Sequence, residues 1–240
     1  MGFVSYDERV LRVSEALRPW IARVSVATPG GTGLENAVLA EPDHATTLAL
    51  REGAVVVLGP RTRARYHVPK QFRSCVMIRL RPGRAGALLG LPARDLVDRV
   101  VPLRDLWGER DAADVDAVRA ALLRRAARDD RGDLAREAIR LLRTGSVGST
   151  ARELAVSERH LRTVFGDAVG VSPQHFVRLD RVRAVLVGAR PGRLASVAAE
   201  AGYYDQSHMT AEFRAVMGVS PGRFAAGHLP PPGACSGLST

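Results

Sequence analysis

One helix-turn-helix pattern is written twice between residues 146 and 224, and this repeat constrains the fold more than any other feature of the chain. The first copy, residues 147–165, reads VGSTARELAVSERHLRTVF. Apolar positions at helical spacing predict a first helix, Ala155 stands in the tight turn, and Ser157 is placed to cap a second helix. The sequence therefore predicts two short helices joined by a tight turn.

The second copy, residues 194–213, reads LASVAAEAGYYDQSHMTAEF. Val197 and Ala198 are apolar positions of its first helix. Gly202 supplies a turn at the place where a left-handed backbone is easiest for glycine, and Asp205 is placed to cap the helix that follows. Caps at matching places predict two second helices of the same recognition type.

A longer helix is predicted between the two copies. Ser172 and Pro173 form a capped start with proline in the first turn, and the Arg-Pro-Gly run at residues 190–192 ends the helix. Apolar side chains recur at spacings of three or four within it: Phe176, Leu179, Val182 and Leu186. We expect a rigid linking helix that sets the separation of the two motifs.

These residues resemble the DNA-binding domain of the AraC/XylS transcription regulators over about residues 133–224. The resemblance is carried by SERHLRTVF, GVSPQHFVRLDRVRAVL, AGYYDQSHMTAEFR and the closing GVSPGRF. It implies a sequence-specific transcription factor whose partner is double-stranded DNA at an operator or promoter. Two recognition helices would then enter successive segments of the major groove, about one helical turn apart.

The resemblance also assigns DNA contacts on the first recognition helix. Base-edge contacts fall on Arg159, Arg162 and Thr163, and a phosphate contact on His160. An arginine can donate two hydrogen bonds to guanine, and a threonine methyl can touch the thymine methyl. The alternative interpretation of this exposed set is a solvated charged face.

Matching positions of the second recognition helix are Gln206, Ser207 and Thr210, and Gln206 can pair with adenine. His208 and Arg214 suit phosphates, which position a protein without specifying sequence. Ala211 stands where relatives often carry a larger or charged side chain. The short Ala211 side chain is expected to limit how far this helix reaches toward the bases.

Charge agrees with a polyanionic partner. The formal net charge is +10 and the pI is about 10.9, and basic side chains near phosphates release condensed counterions on binding. Coding bias explains part of the arginine content, since Lys70 is the only lysine. The clustering of arginines around the two motifs, where acidic residues are sparser, is the stronger argument.

Cysteine usage and the missing targeting signals indicate a cytoplasmic protein, and the DNA-binding resemblance implies association with the nucleoid. Cys75 and Cys235 are far apart and belong to no CxxC pair, so neither a disulfide framework nor a zinc site is predicted. Cys75 is either a small core residue or a sensor thiol. No signal segment and no apolar run long enough to cross a bilayer occur, so no membrane partner is expected.

The spacing of short β-prone runs in the first half of the chain predicts a small antiparallel sandwich or barrel. Residues 1–20 permit a short helix or an irregular lead-in. Six β-prone runs separated by breaker residues follow at 21–27, 36–40, 46–50, 54–58, 64–68 and 75–80. Short helices broken at Pro92 and Pro102 come next, and then a longer helix at 112–128.

This half is similar to the cupin-type regulatory half of some AraC-type regulators over about residues 10–130. The similarity rests on GPRTRARYHV, IRLRPGRAGALLG and DLVDRVVPLRDLWG. It implies an antiparallel β-barrel that receives a small-molecule effector, and helices that pair two subunits. We expect residues 96–107 and 112–128 to couple the two halves, with Leu122 in a packing surface between subunits.

Catalytic chemistry finds no support in the sequence. A metal-dependent cupin enzyme usually supplies a His-x-His pair, a carboxylate and a distant histidine, whereas His44 and His67 of this half stand alone. The PGGTG run lacks the lysine of a phosphate-binding loop, and no Gly-x-Ser-x-Gly elbow occurs. We predict no catalytic residue, no metal and no cofactor.

Four residues are candidates for lining an effector pocket: His44, Tyr66, Arg79 and Arg81. Each also has a structural alternative. His44 can be a satisfied structural histidine, Tyr66 a core ring, and Arg79 and Arg81 the solvated face of a strand. If the two arginines bind an effector, it is an anionic one.

The sequence thus predicts an α+β protein of two domains. A cupin-like β-barrel with helices for effector sensing and dimerisation spans 1–130, an all-α double helix-turn-helix spans 133–226, and a disordered tail spans 227–240. The expected function is effector-controlled transcription, with RNA polymerase a further partner if the protein is an activator, and a homodimer as the assembly. Two alternatives stay open: a constitutive regulator whose first domain serves only dimerisation or polymerase contact, and a cupin enzyme with a DNA-binding appendage.

Overall fold

The structure is a computed structural model that describes residues 7–28, 38–51, 53–68, 73–127 and 133–233. Strands and short helices occupy the described residues up to 127, and helices dominate from residue 133 onward. The predicted α+β architecture of a β-rich first half and an all-α second half is confirmed. The boundary expected near residues 129–132 lies outside the described residues.

Eight strands are described in the first half. They are β1 (Asp7–Leu11), β2 (Ile21–Thr28), β3 (Val38–Ala40), β4 (Thr47–Arg51), β5 (Ala54–Leu58), β6 (Arg65–His67), β7 (Cys75–Leu80) and β8 (Val100–Pro102). Six of them form one antiparallel sheet in the order β1-β2-β7-β4-β5-β8. The remaining two, β3 and β6, pair only with each other among the described strands.

The sheet is open, which corrects the expectation of a closed barrel. Within the described part of the chain, β1 and β8 form the two edges, and each is hydrogen-bonded on one side only. A closed barrel would need hydrogen bonds between β1 and β8, either directly or through β3 and β6. Strands β3 and β6 are only three residues long and pair with each other instead. The described strands therefore make a six-stranded sheet beside a two-stranded ribbon.

Within residues 1–20, the short helix allowed by the sequence is present as a 3-10 turn at Glu15–Leu17, and strand β1 before it was not predicted. This strand pairs with β2 along its full length, from Asp7 opposite Thr28 to Leu11 opposite Val24. Four of its five side chains are exposed. Because an exposed edge strand needs no alternation of apolar and polar residues, the segment DERVL carries no strand period to detect.

One face of the six-stranded sheet packs on helices. Those helices are α1 (Ala85–Leu89), α2 (Leu103–Trp107) and α3 (Val115–Ala126). Leu48, Val57, Ile78 and Leu80 of the sheet share a buried core with Leu88 and Leu122 of the helices. The predicted burial of Ile78 and Leu80 on β7 is confirmed, and Arg79 between them is half-buried rather than solvated.

The second half contains seven helices among the described residues. They are α4 (Asp133–Leu142), α5 (Val147–Glu153), α6 (Glu158–Val169), α7 (Pro173–Gly188), α8 (Leu194–Glu200), α9 (Gln206–Met217) and α10 (Pro221–Ala225). One core joins α4, α5 and α6, and another joins α8 and α9. Helix α7 contributes Phe176 to the first core and Leu179, Val182 and Leu186 to the second, so the linking helix connects both.

The two halves pack closely on each other. Leu39 and Ala64 of the first half complete the core of α8 and α9. Gly170, at the end of α6, has a φ of +93°, and a Cβ there would come within 3.0 Å of the Ala93 carbonyl oxygen. Only glycine tolerates both that φ and that approach.

The path of residues 227–233 differs from the disordered tail expected from their composition. The Gly233 amide donates to the Tyr66 carbonyl at 2.8 Å, and Pro230 packs 3.7 Å from the position of a Cβ on Gly218. Residues 234–240 lie outside the described residues. Among the helices that the structure describes, none combines the length and apolar character needed to cross a bilayer.

Candidate nucleic-acid interface

The first motif consists of α5, a tight turn and α6. Ser146 and Ser149 form a capping box at the start of α5. Ala155 adopts a φ of +54° in the turn, and the Ser157 hydroxyl accepts from the His160 amide at 3.1 Å to cap α6. The predicted cap at Ser157 is therefore confirmed.

The second motif repeats this geometry with α8, a turn and α9. Gly202 adopts a φ of +75° at the position that matches Ala155. The Asp205 carboxylate accepts from the His208 amide at 2.7 Å and caps α9. A carboxylate also suits the positive end of the helix dipole. Both turn and cap follow the sequence prediction.

Helix α6 buries one face and exposes the other. Leu161 and Phe165 are fully buried in the core of the first motif. The exposed set is Arg159, His160, Arg162 and Thr163. The face proposed for DNA contact is therefore accessible over the first two turns of the helix.

Two of these side chains already have partners on their own helix. Arg162 Nη2 lies 2.5 Å from Glu158 Oε2, in a pair whose members are both close to half exposed. Such a surface ion pair contributes little to stability, so Arg162 can exchange Glu158 for another anion. Thr163 Oγ1 donates to the Arg159 carbonyl at 3.1 Å, which leaves its methyl group as the contact it offers outward.

Helix α9 shows the same division. Met209 and Phe213 are fully buried. Gln206, Ser207, His208 and Arg214 are exposed, and Thr210 is half-buried. Ala211 is exposed beside Thr210, so the helix presents short side chains at its centre and longer ones toward its ends.

Two residues near this helix were not among the predicted contacts. Tyr204, in the turn just before Asp205, is 95% exposed and contributes nothing to the core. Glu212 is turned inward, with its side chain only 17% exposed among the side chains of Arg181, Arg178 and His208. Tyr204 could have been found as an aromatic residue at an exposed turn. The two arginine partners of Glu212 come from another helix and leave no local signal; only His208, four residues earlier on α9, is a local partner.

The candidate effector residues lie mostly at the contact between the halves. His44 is buried, with its Nε2 2.8 Å from Asp180 Oδ1 of α7 and its ring stacked 4.4 Å from that of Phe176. The Tyr66 hydroxyl donates to the Met217 carbonyl at 2.9 Å. Burial raises the pKa of Tyr66 to about 12, so this phenol stays a donor at neutral pH.

Arg79 and Arg81 are separated by the alternation of the strand. Arg79 pairs with Asp43 through two hydrogen bonds, and Arg183 of α7 reaches the same carboxylate at 3.0 Å. We call this arrangement of Arg79, Asp43 and Arg183 the Asp43 bridge. Burial, followed by the charges of Arg183 and Arg23, lowers the pKa of Arg79 to about 10.

Arg81 lies elsewhere, where its Nε donates to the Arg18 carbonyl at 2.7 Å. The structure thus brings His44 and Arg79 to neighbouring positions through Asp43, and Arg81 does not join them. Within the described residues, no group of three or more His, Cys, Asp or Glu side chains could hold a metal ion.

Comparison with known proteins identifies the second half. A family model described as a helix-turn-helix domain matches residues 150–227. No curated protein matches the chain in sequence.

Comparison with solved structures gives matches with TM-scores below 0.5. The C-terminal domain of AraT, a response regulator from Geobacillus stearothermophilus, is 20% identical, covering 43% of this chain and 92% of that one, with a TM-score of 0.36. The DNA-binding domain of AdpA, a global transcriptional factor solved with a target DNA, is 21% identical, covering 40% and 87%, with a TM-score of 0.34. ToxT from Vibrio cholerae O395 is 9% identical, covering 93% and 94%, with a TM-score of 0.40.

The matched residues contain both motifs apart from the first residues of α5, and the linking helix between them. The match is to a DNA-binding module and not to a catalytic domain, in agreement with the sequence prediction. Residues 150–227 therefore form an AraC-type helix-turn-helix domain, and the chain is a DNA-binding transcription regulator.

Proposed function

We propose that this regulator binds a specific operator with α6 and α9, and that residues 1–130 control that binding in response to a small molecule. The proposal divides the chain into a regulatory domain, 1–130, and a DNA-binding domain, 133–226. One observation carries the DNA half of the proposal: both helices bury their inner faces completely and leave their first turns exposed. A recognition helix meets the major groove with such residues.

Arg159, Arg162 and Thr163 are proposed to contact bases from α6, and Gln206, Ser207 and Thr210 from α9. The two arginines have the reach and the planar donor fork that suit guanine. His160, His208 and Arg214 are proposed to contact phosphates. Because Thr210 is half-buried and Ala211 is short, α6 is expected to specify more of the operator than α9.

Selection of DNA from a random library by the full chain tests this division. Arg159→Ala and Arg162→Ala should each relax preference at one or two base pairs, since a good bidentate contact contributes about 1–3 kcal/mol of discrimination. Arg214→Ala should instead weaken binding to all sequences alike and reduce the salt slope by roughly one.

Arg104→Ala is the matched control, because it removes the same charge from the exposed surface of α2. It should leave the selected sequence unchanged. If the arginines of α6 and Arg214 gave the same profile across the library, the assignment of base and phosphate contacts would be wrong. Absence of any enriched sequence with the wild-type chain would contradict sequence-specific binding itself.

Contact between the halves supports control by the first domain. The loop before β4 places Asp43 against Arg183 and His44 against Asp180 and Phe176, all on α7. Since α7 joins both motifs, a movement of this loop bears directly on their relative placement. A ligand shifts such an equilibrium only if it binds the two arrangements with different affinity.

An anionic effector fits the Asp43 bridge. A ligand carboxylate or phosphate competing for Arg79 would replace Asp43 there and alter the hold of Asp43 on Arg183. A homodimer and a contact with RNA polymerase remain further parts of the proposal. The rival interpretation, a constitutive regulator whose first domain only dimerises or contacts polymerase, differs in that changes at the Asp43 bridge would leave DNA binding unaltered.

A further inference from the structure

Glu212 is an acidic residue on the DNA-binding helix α9 that points away from the DNA-facing surface. Its side chain is 17% exposed. Arg181 Nη2 donates to both of its carboxylate oxygens at 3.2 Å. Arg178 Nε lies 3.9 Å away and His208 Nε2 3.6 Å away. The carboxylate is therefore directed at α7, and its strongest partners belong to that helix.

Arg181 connects the linking helix to two parts of the second motif at once. Besides its contact with Glu212, its guanidinium carbon lies 4.9 Å from the centre of the Tyr203 ring. Tyr203 belongs to the turn before α9 and is buried, and its ring meets His208 edge-on at 5.4 Å. One side chain of α7 thus holds both the turn and the helix that it introduces.

The charges in this cluster favour a fixed geometry. A guanidinium forms directional hydrogen bonds with a carboxylate and stacks on an aromatic face, whereas a lysine does neither as well. Burial, reinforced by the Glu212 carboxylate, raises the pKa of Tyr203 well above its usual range, so its ring stays neutral. With two arginines beside it, the Glu212 carboxylate repels nearby phosphates less than an unpaired one would.

Small rotations of α9 matter at its DNA-facing end. Gln206 lies six residues from Glu212 along the helix, which is about 9 Å at a rise of 1.5 Å per residue. A tilt of about 10° around Glu212 would move Gln206 by roughly 1.5 Å. Binding sites need their groups held within about 0.5 Å of the productive position.

We infer that Glu212 is a positioning residue for operator recognition, which sets the angle of α9 on α7 through Arg181 and so fixes the spacing of the two half-sites. This inference rests on the proposed function, since it assumes that both recognition helices bind DNA. A carboxylate can also accept from cytosine. Glu212 is not placed for that role because its oxygens face α7 rather than the exposed face of the helix.

Affinity for operators with altered spacing tests the inference with the full chain. The wild-type operator is compared with versions in which one base pair is inserted or deleted between the half-sites. Glu212→Gln keeps the shape of the side chain but loses its charge, and should weaken binding at the native spacing about tenfold, as expected for a lost charged hydrogen bond. At the altered spacings it should lose less than about threefold, because the second helix is no longer held at one angle.

Arg181→Lys changes the other partner of the same contact and should give the same dependence of affinity on spacing. The double variant with Glu212→Gln and Arg181→Lys should bind the operator no more weakly than either single variant. Glu200→Gln is the matched control. It removes the same charge from an exposed pair with Arg193 on α8, and it should leave the spacing profile unchanged. Melting temperatures of all variants show whether any of them fails to fold.

Three results would overturn the inference. Glu212→Gln could weaken all spacings equally, or it could alter preference at a single base pair, which would make Glu212 a base contact. It could also keep the wild-type spacing profile. If Glu212→Gln does not fold, Arg181→Lys decides by the same criterion. A wild-type chain that selects no operator would instead remove the proposed function on which the inference depends.

Discussion

At the scale of single residues, the two motifs offer a matched comparison in their turns. Ala155 and Gly202 occupy equivalent places with φ values of +54° and +75°. A left-handed backbone costs roughly 1–2 kcal/mol for a residue with a Cβ. Nothing lies within 4 Å of a Cβ built on Gly202, so the cost there would come from the backbone alone.

We therefore expect opposite effects from exchanging the two residue types. Ala155→Gly should raise the free energy of unfolding by up to about 1 kcal/mol, because relief of the turn exceeds the added entropy of the unfolded chain. Gly202→Ala should lower it by about 1 kcal/mol. Thermal melting should register shifts of about 2–4 °C. A lower melting temperature for Ala155→Gly would show that its turn is not strained.

Sequence reasoning succeeded for residues whose roles are local. Ser157 and Asp205 cap helices three residues ahead of the amides that they accept from, and such contacts depend only on spacing. The contacts of Glu212 with Arg181 and of His44 with Asp180 could not be predicted from spacing, because the two residues of each pair lie 31 and 136 positions apart along the chain. For Cys75, burial raises the pKa of the thiol, which favours the core residue over the sensor thiol.

At the scale of elements, α3 corrects an expectation about Leu122. This side chain is 1% exposed and packs in the core of the first half, whereas its neighbour Leu123 is 36% exposed. The sequence placed Leu122 between subunits because helical spacing shows which residues share a face. Spacing does not show whether that face meets the same chain or a second copy.

The two leucines of α3 provide a matched test of that correction. Leu122→Glu should destabilise the first half by several kcal/mol, since it buries an unpaired charge. Leu123→Glu should leave the melting temperature nearly unchanged, as expected for an exposed position. If α3 pairs two copies, Leu123→Glu alone should lower the mass measured by light scattering. Equal losses of stability in the two variants would contradict the described orientation of the helix.

At the scale of the whole molecule, the two halves interact through more than the predicted route. The predicted segment 96–107 approaches the second half at Val97, whose Cγ2 lies 3.1 Å from the position of a Cβ on Gly170. The residues just before that segment add the ion pair of Arg94 with Asp167 and the approach of Ala93 to Gly170. The loop that carries Asp43 and His44 adds a contact with α7 that no pattern in the sequence predicts. Its residues share no period with α7, so only the folded chain brings them together.

This arrangement leads to a prediction about control of DNA binding. Residues 133–233 alone should bind the operator, because both motifs and the linking helix lie within them. In the full chain, Asp43→Asn should move the affinity toward that of the isolated half by about fivefold or more, the lower range of coupling between sites. The reason is that a neutral amide holds neither Arg79 nor Arg183 as a carboxylate does.

Asp105→Asn on the exposed surface of α2 removes the same charge and serves as the control. Fluorescence anisotropy with a labelled operator measures the affinity of the full chain, residues 133–233, Asp43→Asn and Asp105→Asn. An isolated half that is folded by circular dichroism but does not bind would mean that Leu39 and Ala64, which complete its second core, are needed for recognition. An Asp43→Asn chain with the affinity of the Asp105→Asn control would mean that the first half does not act through α7. The constitutive alternative would then be the better account, since the contact between the halves would stabilise the molecule without regulating it.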